Sequence, residues 1–163
     1  TQRKTQIVLP LFLSSDFLFV DFRAVAISHL YVCLLPFENN LVKYLPVVET
    51  PHYIYVLHEQ FGAPLRHMHG YKDYSQYLSI HPQSHSEEQF RQLIKDIRTN
   101  GYDWKNQPIL VFRHWSRPLP MNRWDVADGF HRLAILTALG ESSVIVGTLK
   151  AKKSMFKRVW SRI

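Results

Sequence analysis

The run Arg123-Trp-Asp-Val-Ala-Asp-Gly-Phe-His-Arg-Leu-Ala-Ile-Leu-Thr-Ala-Leu-Gly140 constrains this chain more tightly than any other stretch. Its first five residues, Arg123–Ala127, read as a strand. Asp128-Gly129 breaks that strand, and His131–Leu139 reads as a helix with Gly140 in the favoured position just past its end. A strand that turns at a glycine straight into a helix aims the first backbone N–H groups of that helix at one point. Those donors lack partners inside the helix and carry the positive end of its dipole, so the turn suits a phosphate. Gly129 leaves room for a close approach, Arg132 is a bidentate phosphate donor, and His131 is a further donor or acid–base group. Asp128 is the candidate magnesium ligand or proton acceptor. Each residue also has a plain structural reading: Asp128 as a cap, Arg132 as a salt-bridge partner, His131 as a satisfied, partly buried ring.

The flanking segments supply the rest of a small mixed fold. Ser86 with Gln89 fits a capping box, Glu87 and Glu88 occupy the first turn, and Phe90, Leu93, Ile94 and Ile97 recur at helical spacing up to the Asn100-Gly101 stop. Arg91, Lys95 and Arg98 then fall on the solvated face. Pro108–Phe112 is a short apolar run expected to form a buried strand, ended by Arg113 and His114, and Ser143–Leu149 is the last strand. The order from Ser86 onward is helix, strand, strand, helix, strand, an α+β arrangement with a small mixed sheet and flanking helices.

Upstream the pattern is weaker. Leu41–Val48 reads as an extended segment broken at Pro46, which cannot donate a ladder hydrogen bond and so points to an edge or bulge. Glu49–His52 reads as a turn and Tyr53–Leu57 as a short strand of alternating aromatic and β-branched residues. A connection or lid spans Phe61–Gln83, with a short helix around Tyr71–Leu78. The expected organisation is an N-terminal extension over residues 1–40, a domain over 41–150 and a basic tail over 151–163. The tail carries Lys152, Lys153, Lys157, Arg158 and Arg162, a set suited to an acidic partner or an anionic membrane surface.

Composition narrows the partners. Lys and Arg exceed Asp and Glu by 20 to 13, a formal charge of +7, which favours an anionic ligand. Cys33 is the only cysteine, which excludes an intramolecular disulfide and a thiolate-rich zinc site and points to a reducing cytoplasm. The apolar stretch Ile7–Phe37 is interrupted by Asp16, Asp21, Arg23 and His29, leaving no run of about 18 residues to span a bilayer. His52, His58, His67, His69, His81 and His85 lie close in sequence, yet lack the spacing of a transition-metal motif.

The run Asp128-Gly-Phe-His-Arg132, continued by Leu133-Ala-Ile-Leu-Thr-Ala-Leu-Gly140 and the Val144-Ile-Val strand, resembles the signature of the ParB/sulfiredoxin superfamily. The helix Glu87–Arg98, the Asn100-Gly101 stop and Pro108-Ile-Leu-Val111 fall where that family has its upstream elements. The resemblance covers Tyr77–Leu149. It implies a nucleoside triphosphate, ATP or CTP with Mg2+, whose phosphates sit at the helix start after Gly129. Sulfiredoxins carry a catalytic cysteine where this chain has Phe130, so sulfinic acid repair is not expected. Partition proteins continue into a DNA-binding helix-turn-helix, for which 151–163 is too short. The serine-kinase branch remains, and by that resemblance Glu49 is the candidate acceptor-side base, with Asp128 and His131 as further catalytic residues. Gly129, His131, Arg132, Arg113 and His114 are the expected nucleotide-binding set. The expected function is a Mg-dependent small-molecule kinase or NTP hydrolase, against two alternatives: a non-catalytic nucleotide-sensing module and a ParB-like nucleic-acid-binding protein.

Overall fold

The computed structural model describes residues 17–34, 43–65, 73–113 and 123–152. Among these residues six strands form one mixed sheet in the order β1-β6-β4-β5-β2-β3, with four helices. The strands are β1 (Phe17–Ala26), β2 (Leu30–Leu34), β3 (Lys43–Pro46), β4 (Ile109–Phe112), β5 (Trp124–Asp128) and β6 (Ser143–Ala151). The helices are α1 (Pro51–Phe61), α2 (Tyr74–Ile80), α3 (Glu87–Asn100) and α4 (Phe130–Ala138). No helix among the described residues is long and apolar enough to cross a membrane.

Helix α3 forms as its sequence predicts. Ser86 Oγ accepts the Gln89 N–H at 3.2 Å and the Ser86 N–H donates to Gln89 Oε1 at 2.8 Å, closing both halves of the capping box. Phe90, Ile94 and Ile97 are buried, while Arg91, Lys95 and Arg98 stay outside. Each of the three apolar side chains adds about 1.5–3 kcal/mol of burial. Gly101 closes the helix at φ 80°.

The sheet centre is β4, which runs parallel to β6 and antiparallel to β5. One face of the sheet packs on the helices through Leu30, Val32, Ile109, Val111, Val126 and Val146 with Leu133 and Ile135 of α4. The other face carries a smaller cluster of Phe17, Leu110 and Leu149, with Phe112 against Phe17 at 5.1 Å between ring centroids. Pro46 ends the edge strand β3, where a missing N–H costs no ladder bond.

Two expectations are corrected here. Residues 17–34, expected within an extension, are strands of the same sheet: β1 pairs antiparallel with β6, and β2 pairs with both β3 and β5. Tyr53–Leu57, expected as a strand, is the middle of α1. Thr50 caps that helix by accepting the Tyr53 N–H at 3.3 Å, Pro51 occupies its first position, and Gly62 stops it in the left-handed region at φ 64°. Burial of Tyr55 and Val56 against the sheet-side core fixes the helix despite its β-branched and aromatic content. The short helix expected around Tyr71–Leu78 is α2, capped by Asp73 Oδ1 accepting the Gln76 N–H at 2.9 Å. The basic tail beyond Lys152 lies outside the described residues.

Candidate functional site

The turn between β5 and α4 is built around Gly129, with φ 92° and ψ 25°. A Cβ there would stand 3.0 Å from Ile109 Cα and 3.2 Å from Arg132 Nη2. The glycine is therefore required twice, by its left-handed backbone and by the close approach of β4. No side chain caps α4, and its first internal hydrogen bond runs from the Leu133 N–H to the Gly129 carbonyl at 2.9 Å. The N–H groups of Phe130, His131 and Arg132 thus have no acceptor within the helix.

Arg132 spans the turn. Its Nη2 donates to the Pro108 carbonyl at 3.2 Å and to Asp128 Oδ2 at 3.4 Å, tying the start of β4 to the end of β5. Its Nε is buried without a partner among the described residues. Arg132 borders a cleft with two lobes, and Gly129 lines the smaller of them. A larger lobe of about 470 Å³ runs along α3 past Gln89, Gln92 and Asp96 to Tyr102 and Asp103, and a smaller one of about 360 Å³ lies between Asp128–Arg132 and the segment Gln83–His85. His85, Leu93 and Arg132 line both. At the far end of the larger lobe, hydrogen bonds from Asn106 hold the Asp103 carboxyl below the usual carboxylate range. Tyr102 accepts the Ile109 N–H on its hydroxyl at 2.6 Å, and burial pushes its pKa up to about 12.

His131 is 8% exposed, and its ring belongs to an aromatic cage. Its Nε2 lies 2.6 Å from the Tyr74 hydroxyl and 3.3 Å from Ser84 Oγ. The same Tyr74 hydroxyl lies 2.6 Å from the His85 carbonyl, which can only accept. With one proton to give, Tyr74 donates to that carbonyl and accepts from His131, so Nε2 carries the hydrogen. Burial, then His52, His85 and Arg132, drive the His131 pKa far below an ordinary imidazole. The ring is a neutral brace. Behind it His52, 1% exposed, packs at 4.7 Å from His131 and 4.4 Å from Tyr77, and burial lowers its pKa to about 3.

Sequence reasoning brought together Asp128, Gly129 and Arg132, and they do meet at one cleft. The expected donor role of the His131 side chain is corrected: its Nε2 hydrogen is committed to Tyr74, and only its backbone N–H belongs to the helix-start set. Arg113 is corrected as well. Because β4 and β5 are antiparallel, Leu110 faces Asp128 while Phe112 faces Asp125, which puts Arg113 at the opposite end of the strands from Gly129. At about 3.4 Å per residue the two are roughly 10 Å or more apart. Arg113 instead lies over the Trp124 ring at 4.6 Å. Glu49 ends a short 3-10 turn before α1 and lines neither lobe. His114, His67 and His69 lie outside the described residues. Among the described residues no three His, Cys, Asp or Glu side chains gather to hold a metal, and the near oxygen of Asp128 faces Arg132 at 3.4 Å.

The residues that sequence reasoning missed are His85, Gln89, Gln92, Asp96 and Asp103. For all but Asp103 the signal was the capped start of α3 at Ser86, which fixes His85 just before the cap and sets Gln89, Gln92 and Asp96 on one stripe at spacings of three and four. Compared with known proteins, the chain matches no family model and no curated protein sequence.

Proposed function

We propose that this chain is a nucleotide-binding domain of ParB/sulfiredoxin type, working as a Mg-dependent small-molecule kinase or NTP hydrolase. The observation that carries this reading is the uncapped start of α4 at Gly129, with Arg132 beside it, opening into a two-lobed cleft. Three N–H groups without an acceptor inside the helix lie beside a guanidinium there, a donor set that fits a phosphate chain. The larger lobe offers amides and a carboxylate along α3, Gln89, Gln92 and Asp96, suited to the base and ribose of ATP or CTP. The smaller lobe, lined by the Gly129 turn itself, takes the phosphate end with the acceptor beside it. Magnesium then arrives on the phosphates, as it usually does where few carboxylates are present. Phosphoryl transfer asks mainly for positioning and charge neutralisation, which a rigid turn and one arginine begin to supply.

Titration calorimetry with MgATP, MgCTP and MgADP tests the reading on the wild type and on Arg132→Ala. Loss of a charge-assisted contact of about 1.5–3 kcal/mol predicts roughly 10- to 100-fold weaker binding in the variant. Absence of binding by the wild type for all three nucleotides removes the proposal. A sensing module without turnover is the second reading, favoured by the commitment of Asp128 to Arg132. Tight binding with no diphosphate formation selects it.

A further inference from the structure

We propose that His85 is the proton-transfer group of this cleft, taking the proton of a water or alcohol hydroxyl as that oxygen receives the terminal phosphoryl group of a nucleoside triphosphate. The inference rests on the nucleotide reading above and adds the reacting residue to it. Three side chains line both lobes: Leu93, Arg132 and His85. Leu93 has no proton chemistry and Arg132 is permanently charged, so His85 is the proton acceptor that the phosphate end and the acceptor end share. The carboxylates and the second histidine at the cleft have other partners: Asp128 faces Arg132, Asp96 accepts from Gln92 at 2.7 Å, Asp103 is held by Asn106, and the His131 Nε2 hydrogen is given to Tyr74. No described side chain hydrogen-bonds the His85 ring, although His131 packs on it at 4.5 Å.

The backbone holds this ring in place. Tyr74 donates to the His85 carbonyl, and the Ser86 cap of α3 follows immediately. Tyr74 is thus a positioning residue, acting on His85 through the main chain. The charged groups that face His85 are Arg132 and the carboxylate of Asp128 from the turn, with neutral His131 from α4 and His52 from α1 behind it, and Asp96 and Asp103 across the larger lobe. Burial first, then Arg132, hold its pKa below the ordinary imidazole value, against the opposite pull of Asp128. Both effects favour the neutral ring, which has a lone pair to accept a proton.

The transfer balances without any further reagent. The hydroxyl oxygen forms the new P–O bond, and the bond between the terminal phosphorus and its bridging oxygen breaks. The diphosphate keeps that electron pair, and the hydroxyl proton goes to His85, which returns it to solvent.

The test measures diphosphate formation from MgATP and MgCTP, in water alone and with glycerol as a general alcohol, across about pH 5.5 to 8.5 on the wild type and H85Q. The expected result is nucleotide affinity within about threefold of wild type, turnover about 100-fold slower, loss of the acid limb of the rate profile and partial rescue by free imidazole. In the intact wild type, the His85 ring resonances should shift when a non-hydrolysable MgATP analogue is added, a measurement that stands even where H85Q folds poorly. Retention of the rate and acid limb by H85Q overturns the proposal, as do unmoved His85 resonances or a wild type that binds nucleotide and forms no diphosphate. A wild type that binds no nucleotide overturns the underlying reading as well, and calorimetry tells the two failures apart.

Discussion

Acidification should loosen this protein through two buried imidazoles, and the size of the effect follows from the structure. His52 is 1% exposed, and neither ring nitrogen has a hydrogen-bond partner among the described residues. His131 is 8% exposed and packs edge-on against it. Both are held neutral, His52 with a pKa near 3 against an ordinary imidazole value of 6.5. A group depressed in the folded state adds its full stability above the unfolded pKa and loses it as pH falls toward the folded one. Between about pH 7.5 and about pH 5.5 the unfolded chain takes up these protons while the folded one does not, at about 1.4 kcal/mol for each histidine. The two together remove about 3 kcal/mol, a large share of the roughly 5–15 kcal/mol typical of a domain. The lowered imidazoles of His81 and His85 add to the loss in the same window, and the depressed carboxyls of Asp21 and Asp103 act in the same direction but at lower pH, below the unfolded carboxylate value near 3.8. Urea unfolding followed by tryptophan fluorescence at the two pH values measures the loss. His52→Leu removes one buried imidazole whose nitrogens bond no described residue, so its loss over the same interval should shrink by about 1.4 kcal/mol. Equal stability of the wild type at both pH values, or an unchanged pH slope in the variant, refutes the reasoning.

Gly129→Ala forces a side chain into the left-handed region and against Ile109 Cα at 3.0 Å, so thermal unfolding should show a loss of about 2 kcal/mol or more, and nucleotide affinity should fall with it. Tyr74→Phe leaves the His85 carbonyl and the His131 Nε2 hydrogen without their shared partner, a cost of about 1–3 kcal/mol in urea unfolding. A cost within experimental error would show that the hydroxyl contacts hold nothing. Arg113→Ala, at the opposite end of β4 from Gly129, should leave calorimetric nucleotide affinity within about twofold of wild type at physiological salt. A loss comparable to that of Arg132→Ala would move the phosphate site away from the turn.

What was legible in the sequence is what short-range chemistry decides. Ser86 with Gln89 announces a helix start, Gly101 a stop, and Asp128-Gly129 a strand-to-helix turn, because each signal acts within three or four residues. Helix α1 was hidden for the opposite reason. Tyr53-Ile-Tyr-Val-Leu57 has strand-like residues, and only Thr50-Pro51 before it and Gly62 after it mark a helix. The places of β1 and β2 in the sheet were illegible because β1 pairs with β6 and β2 with β5, about a hundred residues away in sequence, and no local pattern encodes that pairing.

The same distinction explains how the candidate site divided. Asp128, Gly129 and Arg132 lie within one turn of chain, so their convergence could be read directly. Arg113 was misplaced because its position depends on the antiparallel register of β4 with β5, and His131 because the partner that claims its proton, Tyr74, comes from a separate helix. His85 joins the cleft by that route too. Its carbonyl and the His131 ring are bonded to one hydroxyl, so the loop before α3 and the first turn of α4 are held as a unit. The proposed phosphate turn is local in sequence, whereas His85, the proposed proton acceptor, reaches it only through tertiary contact. If the proposed nucleotide site holds, a change at Tyr74 should accordingly disturb turnover more than nucleotide affinity, because Arg132 is held by Pro108 and Asp128 without that hydroxyl, whereas the place of His85 rests on it.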